Sequence, residues 1–253
     1  MKIEILYEDK DILVINKPSG LMVHGDGRSE EKTLTDWILE KYPKMKNVGE
    51  PLHVSRGKPG QSSKDDRFTS SVVERPGIVH RLDKETSGAL ILAKNQKSFE
   101  FLKNQFKERE MQKTYLTLVW GIVKKDSGVI EAPIARSKND FRQWSAQKGK
   151  RGQEREAVTE YKVLKRFQCQ GEALTLLEVS PKTGRTHQIR VHMKYINHPV
   201  VCDRLYAPSK PCPVLNLDRL ALHAKSIEFA LNTGKRILVE APLPSDIAKA
   251  MSL

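Results

Sequence analysis

Apolar runs in this chain come in neighbouring pairs joined by short polar turns, and that pairing constrains the fold more than any other feature. Residues 3–16 read as IEILY, a turn EDKD, and ILVIN; the first run alternates, and the second is apolar enough for a buried strand. AVTEYKVLKRF and ALTLLEVS form a second pair, and LALHAKSIEFAL and RILVEAPLP a third. ALILAKN (89–95) and TYLTLVWG (114–121), the latter closed by glycine, add further strands. Helical periodicity is scarcer. TLTDWILEKY (33–42) places Leu34, Trp37, Ile38 and Tyr42 on one side, with Pro43 as a stop. SFEFLKNQFKER (98–109) has apolar residues at 99, 102 and 106, and a third helix is predicted from Thr186, as its cap, to Tyr195. Strands outnumber helices and no regular βαβ alternation occurs. The pattern predicts an α+β class: one domain over 1–253 on a mainly antiparallel mixed sheet flanked by helices and loops.

Two segments break the pattern. Residues 44–76 collect Gly, Ser, Lys and Pro without periodicity, which predicts a mobile loop just before the most chemically loaded stretch of the chain. Residues 136–155 hold Arg136, Lys138, Arg142, Lys148, Lys150, Arg151 and Arg155 against only Asp140 and Glu154, a basic hairpin or loop.

The formal net charge is +13, and a balance that basic favours a polyanionic partner, because each cation near a phosphate releases a bound counterion. The three cysteines, Cys169, Cys202 and Cys212, are odd in number and lack C-x-x-C spacing, so a disulfide framework is not expected and a reducing cytoplasm is. No apolar run approaches the roughly 20 residues that span a bilayer. The acidic residues near the start do not suit a signal peptide, and no membrane partner is expected. A metal is not expected either. His187 and His192 are five apart and diverge on a helix, and His198, Cys202 and Cys212 complete no zinc spacing.

The chemistry concentrates in two strings. In VHRLDKETSG (79–88), Ile78 and Val79 end a strand and leave His80, Arg81, Leu82 and Asp83 on the following loop. Thr86, Ser87 and Gly88 can turn the chain and offer donors to a carboxylate. An Asp so held, near Arg, stays ionised and fixed in direction, and can serve as base or nucleophile. A structural Arg–Asp pair at a turn is the plainer reading of the same residues. In SPKTGRTHQIRVHMKYINHP (180–199), Lys182, Arg185, His187 and Arg190 surround a glycine turn and the helix after it, where free amides and the helix dipole favour anions.

KPSGLMVH (17–24), RPGIVHRLDKETSG (75–88), KTYLTLVWG (113–121), SPKTGRTHQIRVH (180–192) and LALHAKSIEF (220–229) follow one another in an order that resembles the RluA-type pseudouridine synthases, isomerases of uridines in structured RNA. The resemblance runs from about residue 5 to 243 and implies roles for matched residues only. It implies that Asp83 is the catalytic carboxylate and that Arg81 pushes the uridine out of its stack and fills the vacancy. It implies that Tyr115 packs on the flipped base and aids the final proton removal. Arg190 is implied to keep Asp83 ionised and aimed, with His80, Lys182, Arg185 and His187 in substrate binding. No cofactor and no metal are implied, since substrate and product are isomers.

Many members carry an S4-type RNA-binding module first. The chain starts at the first catalytic strand, so that module is expected to be absent and RNA affinity to come from the catalytic domain, residues 136–155 in particular. The expected partner is ribosomal or transfer RNA, with large-subunit ribosomal RNA preferred, and the default state is a monomer. Two other readings stand beside this one. A non-catalytic RNA-binding or RNA-folding protein on the same scaffold has no use for Asp83. A glycosidase needs a second carboxylate that the motifs do not supply.

Overall fold

The computed structural model describes residues 1–25, 31–50, 52–55, 70–73, 75–169 and 171–251. The chain opens with the hairpin β1 (Glu4–Glu8) and β2 (Ile12–Lys17), then α1 (Leu34–Lys41), in which Thr33 and Asp36 cap each other reciprocally. A short hairpin of β3 (Leu52–Ser55) and β4 (Ser70–Val73) precedes β5 (Ser87–Ala93), α2 (Gln96–Lys107) and β6 (Gln112–Trp120). There follow β7 (Ser127–Glu131), β8 (Ile134–Arg136), β9 (Trp144–Ser145), β10 (Arg151–Arg155), β11 (Val158–Cys169) and β12 (Glu172–Pro181). The last elements are α3 (Gln188–Tyr195), β13 (Leu222–Ala230), β14 (Arg236–Glu240) and α4 (Ser245–Met251).

The main sheet runs β1-β2-β5-β13-β6-β12-β11-β7, with β14 extending β13. Every pairing is antiparallel except β5 with β13, which makes the sheet mixed as expected. β5 is buried along its whole length and β2 along nearly all of it, so both read as continuous apolar runs rather than alternating ones. Two apolar cores flank the sheet. One gathers β2, β5, α1 and α2, and the other gathers the end of β6 with β12, α3 and α4; Tyr115 packs against both.

Three local expectations need correction. The 44–76 stretch is not uniformly irregular: Pro43–Met45 form a 3-10 turn, and β3 and β4 pair antiparallel. Residues 56–69 of it lie outside the described residues. The basic 136–155 segment is not a simple hairpin or loop, because β8, β9 and β10 join in a separate three-stranded sheet. Cys202 and Cys212, 5.2 Å apart at Cα, form a disulfide, because the loop between them doubles back on itself. Spacing alone argued against such a bridge. Among the described residues no helix is long and apolar enough to cross a membrane.

Candidate active site

The string before β5 delivers Asp83 to the floor of a cavity of about 530 Å³. Its side chain is 18% exposed, enough to be reached from the cavity. The turn behind it is closed by the Thr86 amide donating to the Asp83 carbonyl at 3.1 Å. Thr86, Ser87 and Gly88 were expected to hold the carboxylate itself, and they do not. The Ser87 hydroxyl is engaged with His223 Nδ1 at 2.9 Å, and Gly88 adopts φ +114° against β13. What faces the carboxylate is the other half of the chain. Arg190 Nη1 donates to Asp83 Oδ2 at 3.3 Å, and His187 Nε2 lies 3.9 Å from Oδ1.

Arg190 is itself clamped. Its Nε and Nη2 donate to the two oxygens of fully buried Asp203 at 2.7 and 2.8 Å, and its guanidinium lies 4.9 Å from the Tyr206 ring centroid. Burial works against the positive charge. The hydrogen bonds and charge of Asp203, with Asp83 adding to them, more than reverse that effect and hold the guanidinium's pKa above its ordinary value. Asp203 in turn accepts the amides of Leu205 and Tyr206, which fix its orientation.

The tautomer of His187 follows from its neighbours. The Tyr206 hydroxyl oxygen accepts the Trp144 amide at 3.0 Å, which leaves its proton for His187 Nδ1 at 2.8 Å. The ring proton is thereby assigned to Nε2, facing Asp83. Burial lowers the His187 pKa, against the pull of Asp83, and favours that neutral form. His187 also replaces Thr186 as the residue before α3: it adopts φ +55° with no side-chain cap. Thr183 Oγ1 and the Arg185 amide both donate to Gln188 Oε1, which ties the turn to the first residue of α3 and delays the helix past Thr186.

Tyr115 on β6 completes the wall. Burial and the nearby Asp83 charge raise its pKa, so the phenol keeps its proton. Arg81 projects from the loop, exposed, with Nη1 3.1 Å from His24 Nε2. His80 points the other way: its Nε2 accepts the Ile91 amide at 3.1 Å and its ring packs 4.8 Å from Phe106. Burial, with Lys113 and Arg75 near it, pushes His80 down to about 3 and keeps it neutral. Lys182 lines the cavity in an ion pair with Glu160 at 2.8 Å, and Arg185 lines it while its Nε donates to the Glu156 carbonyl at 2.9 Å.

All eight predicted site residues therefore line one cavity, alongside further cations. Eight Lys or Arg residues line it against a single carboxylate, Asp83, among the described residues. Sequence reading missed Asp203, Tyr206, His24 and Lys113. Asp203 and Tyr206 sit in a loop without periodicity, whereas His24 and Lys113 are inside the quoted strings and were passed over. Among the described residues no three His, Cys, Asp or Glu side chains gather as a metal site.

A family model described as RNA pseudouridylate synthase matches residues 11–195. An uncharacterised RNA pseudouridine synthase of Bacillus subtilis is 37% identical over 250 residues, covering 98% of this chain and 72% of that protein. A ribosomal large subunit pseudouridine synthase D of Nitrosomonas europaea is 38% identical, covering 97% and 63% respectively. The chain thus spans roughly two thirds of the length of such relatives. The solved structure of human RNA pseudouridylate synthase domain containing 1 superposes with a TM-score of 0.70 at 26% identity, covering 98% of this chain and 87% of that one. With this agreement in sequence, fold and cavity, the chain belongs to the RNA pseudouridylate synthase family of isomerases.

Proposed function

We propose that the chain converts a uridine of structured RNA to pseudouridine, with Asp83 as the carboxylate that acts at the sugar–base junction after the nucleotide leaves its stack. The observation that carries this reading is the lone carboxylate, among the described residues, of a cationic cavity, open to the cavity on one side and braced by Arg190 on the other. In the reaction the N1–C1′ bond breaks, the uracil rotates, and C5 bonds to C1′. Asp83 is suited to attack at C1′, to assist loss of the 2′ proton, or to add to C6, and the contact from Arg190 orients it for each. Extruding a nucleotide costs a few kcal/mol. In this reading Arg81, an exposed residue of the cavity lining, fills the vacancy, and phosphate contacts to the surrounding cations offset the rest. Tyr115, protonated and beside Asp83, supplies a ring for the flipped base. The basic β8-β9-β10 sheet extends the surface for RNA. Large-subunit ribosomal RNA is the favoured substrate, supported by relatives named for it.

The test is to incubate transcribed ribosomal and transfer RNAs with the parent and with Asp83→Asn, then map pseudouridine by reverse transcription. The parent is expected to modify discrete uridines of large-subunit RNA. Asp83→Asn is expected to bind the same RNA with nearly the parent affinity and to form no pseudouridine. Turnover by that variant removes Asp83 from its role, and modification confined to transfer RNA removes the ribosomal preference.

A further inference from the structure

Lys113, one of the cavity's cations, has no individual role in the chemistry above. Lys113 lies on β6 two residues before Tyr115, so both side chains leave the same face of the strand, about 7 Å apart along it. Its ammonium is 5.8 Å from the Phe106 ring centroid on α2. On the far wall, a β-carbon at Gly184 would come 4.0 Å from Lys113 Nζ, so the glycine leaves the approach to the ammonium open. Lys182 and Arg190 each have a carboxylate, Glu160 and Asp203. Lys113 has none among the described residues. Its surroundings carry the same sign: Arg75, close enough to act with Lys113 on His80, has a buried Nε without a protein partner. Burial alone lowers the Lys113 pKa to about 8. A desolvated ammonium with no counter-ion costs free energy that a partner of opposite charge removes.

Resting on the reading of this cavity as the uridine pocket, we propose that Lys113 binds a backbone phosphate next to the flipped nucleotide. A uracil carbonyl would meet the ammonium without neutralising it, whereas a phosphate supplies the missing charge. The separation of Lys113 from Tyr115 is comparable to the span from a nucleotide's base to its phosphate. With the base on Tyr115 and the phosphate on Lys113, the glycosidic bond lies between two fixed points, and Asp83 meets it in one orientation. Lys113 is then a determinant of where along the RNA backbone the nucleotide is gripped.

The experiment is a cycle of protein and RNA changes. The RNA is an oligonucleotide containing a uridine that the parent modifies, with neutral methylphosphonate linkages placed singly on either side. The proteins are the parent, Lys113→Met and Lys113→Arg, each shown to melt like the parent. Both kcat/KM and Kd are measured. One linkage is expected to cost the parent about tenfold or more, the order of a charge-assisted hydrogen bond. Lys113→Met is expected to lose the same factor on unmodified RNA and nothing further at that linkage, and Lys113→Arg to recover most of it. Parent-like behaviour of Lys113→Met, or losses at every linkage that add to its own, overturns the proposal. A parent that forms no pseudouridine in any RNA overturns the functional reading instead. The Kd arm, run on any RNA the parent binds, then still decides the phosphate contact by the same criteria.

Discussion

Asp203→Asn tests the anchor on which the whole site leans. Asn keeps the size of the side chain and an oxygen for the Leu205 and Tyr206 amides. It removes the charge and sets an NH2 group against an Arg190 nitrogen that donates to Asp203 at 2.7 or 2.8 Å. Asp203 is fully buried and the Arg190 side chain is 9% exposed, so screening by solvent does little to soften the loss. Stripping one partner from a buried ion pair costs about 3–5 kcal/mol. Asp83, 3.3 Å from Nη1, remains as a partial counter-charge and argues for the lower end, about 3 kcal/mol. In a chain of this length that corresponds to a fall of about 6–12 °C in Tm. A guanidinium released from Asp203 turns toward Asp83 and re-aims it. Displacing a reacting group by about 1 Å costs on the order of a hundredfold in rate. The assay is a thermal melt followed by single-turnover isomerisation on saturating RNA. Asp126→Asn is the control, since that carboxylate is 88% exposed in its pair with Arg166 and its loss is worth under about 1 kcal/mol. A parent-like melt and parent-like turnover for Asp203→Asn would refute the anchoring argument. A lowered Tm with unchanged turnover would confine Asp203 to the fold.

Two further outcomes follow from the packing around β5. His223 is fully buried, and burial chiefly, with Arg219 adding, pushes its pKa down to about 4. The unfolded chain therefore binds a proton there that the native one excludes. Its contribution is intact above about pH 6.5 and is lost as pH falls toward 4, at up to about 1.4 kcal/mol per pH unit. Urea unfolding at pH 7, 6 and 5 should show this slope, and His223→Gln should flatten it by about one proton; an unchanged slope would clear His223. Gly88→Ala should destabilise by more than about 2 kcal/mol, because it forces a β-carbon at φ +114° into the Ala224 backbone. A normal melt for that variant would show that β5 can shift away from β13.

The strands were legible because burial writes itself into composition: β2 and β5 are buried and read as apolar runs, and β11 and β12 pair as the sequence suggested. α1 ends at the expected proline, and α2 lies within two residues of its predicted bounds. The separate β8-β9-β10 sheet was not legible, since β10 is exposed throughout and leaves no apolar pattern. Arg190 and Asp83, 107 residues apart, were linked only through family resemblance. Asp203 escaped for a different reason. It stands 13 residues after Arg190 in a loop, and nothing in its local sequence distinguishes a buried counter-ion from a solvated turn aspartate. The hydroxyls of the Thr-Ser-Gly turn looked available to the carboxylate, but His223 and Arg219, far along the chain, engage Ser87 instead.

The strand order explains why the site takes both halves of the chain to exist. β5 carries the Asp83 loop at its start and belongs to the first core; α3 carries Arg190 and belongs to the second. The two halves meet where β13 slots between β5 and β6, pairing His223 with Ser87 in parallel and Ala224 with Tyr115 in antiparallel register. One strand thus sets the height of the loop after Asp83 on one side and the height of Tyr115 on the other. Gly88 permits the approach on the first side, since any β-carbon there would meet Ala224. Asp83, Tyr115 and Arg190 come from segments with little reason to converge locally, and the register of β13 brings their heights into agreement. A slip of one residue would turn every side chain of that strand to the opposite face, exposing apolar residues on both cores. Core burial therefore enforces the alignment of the carboxylate with its partners, and the site's precision derives from the sheet rather than from the loop that bears Asp83.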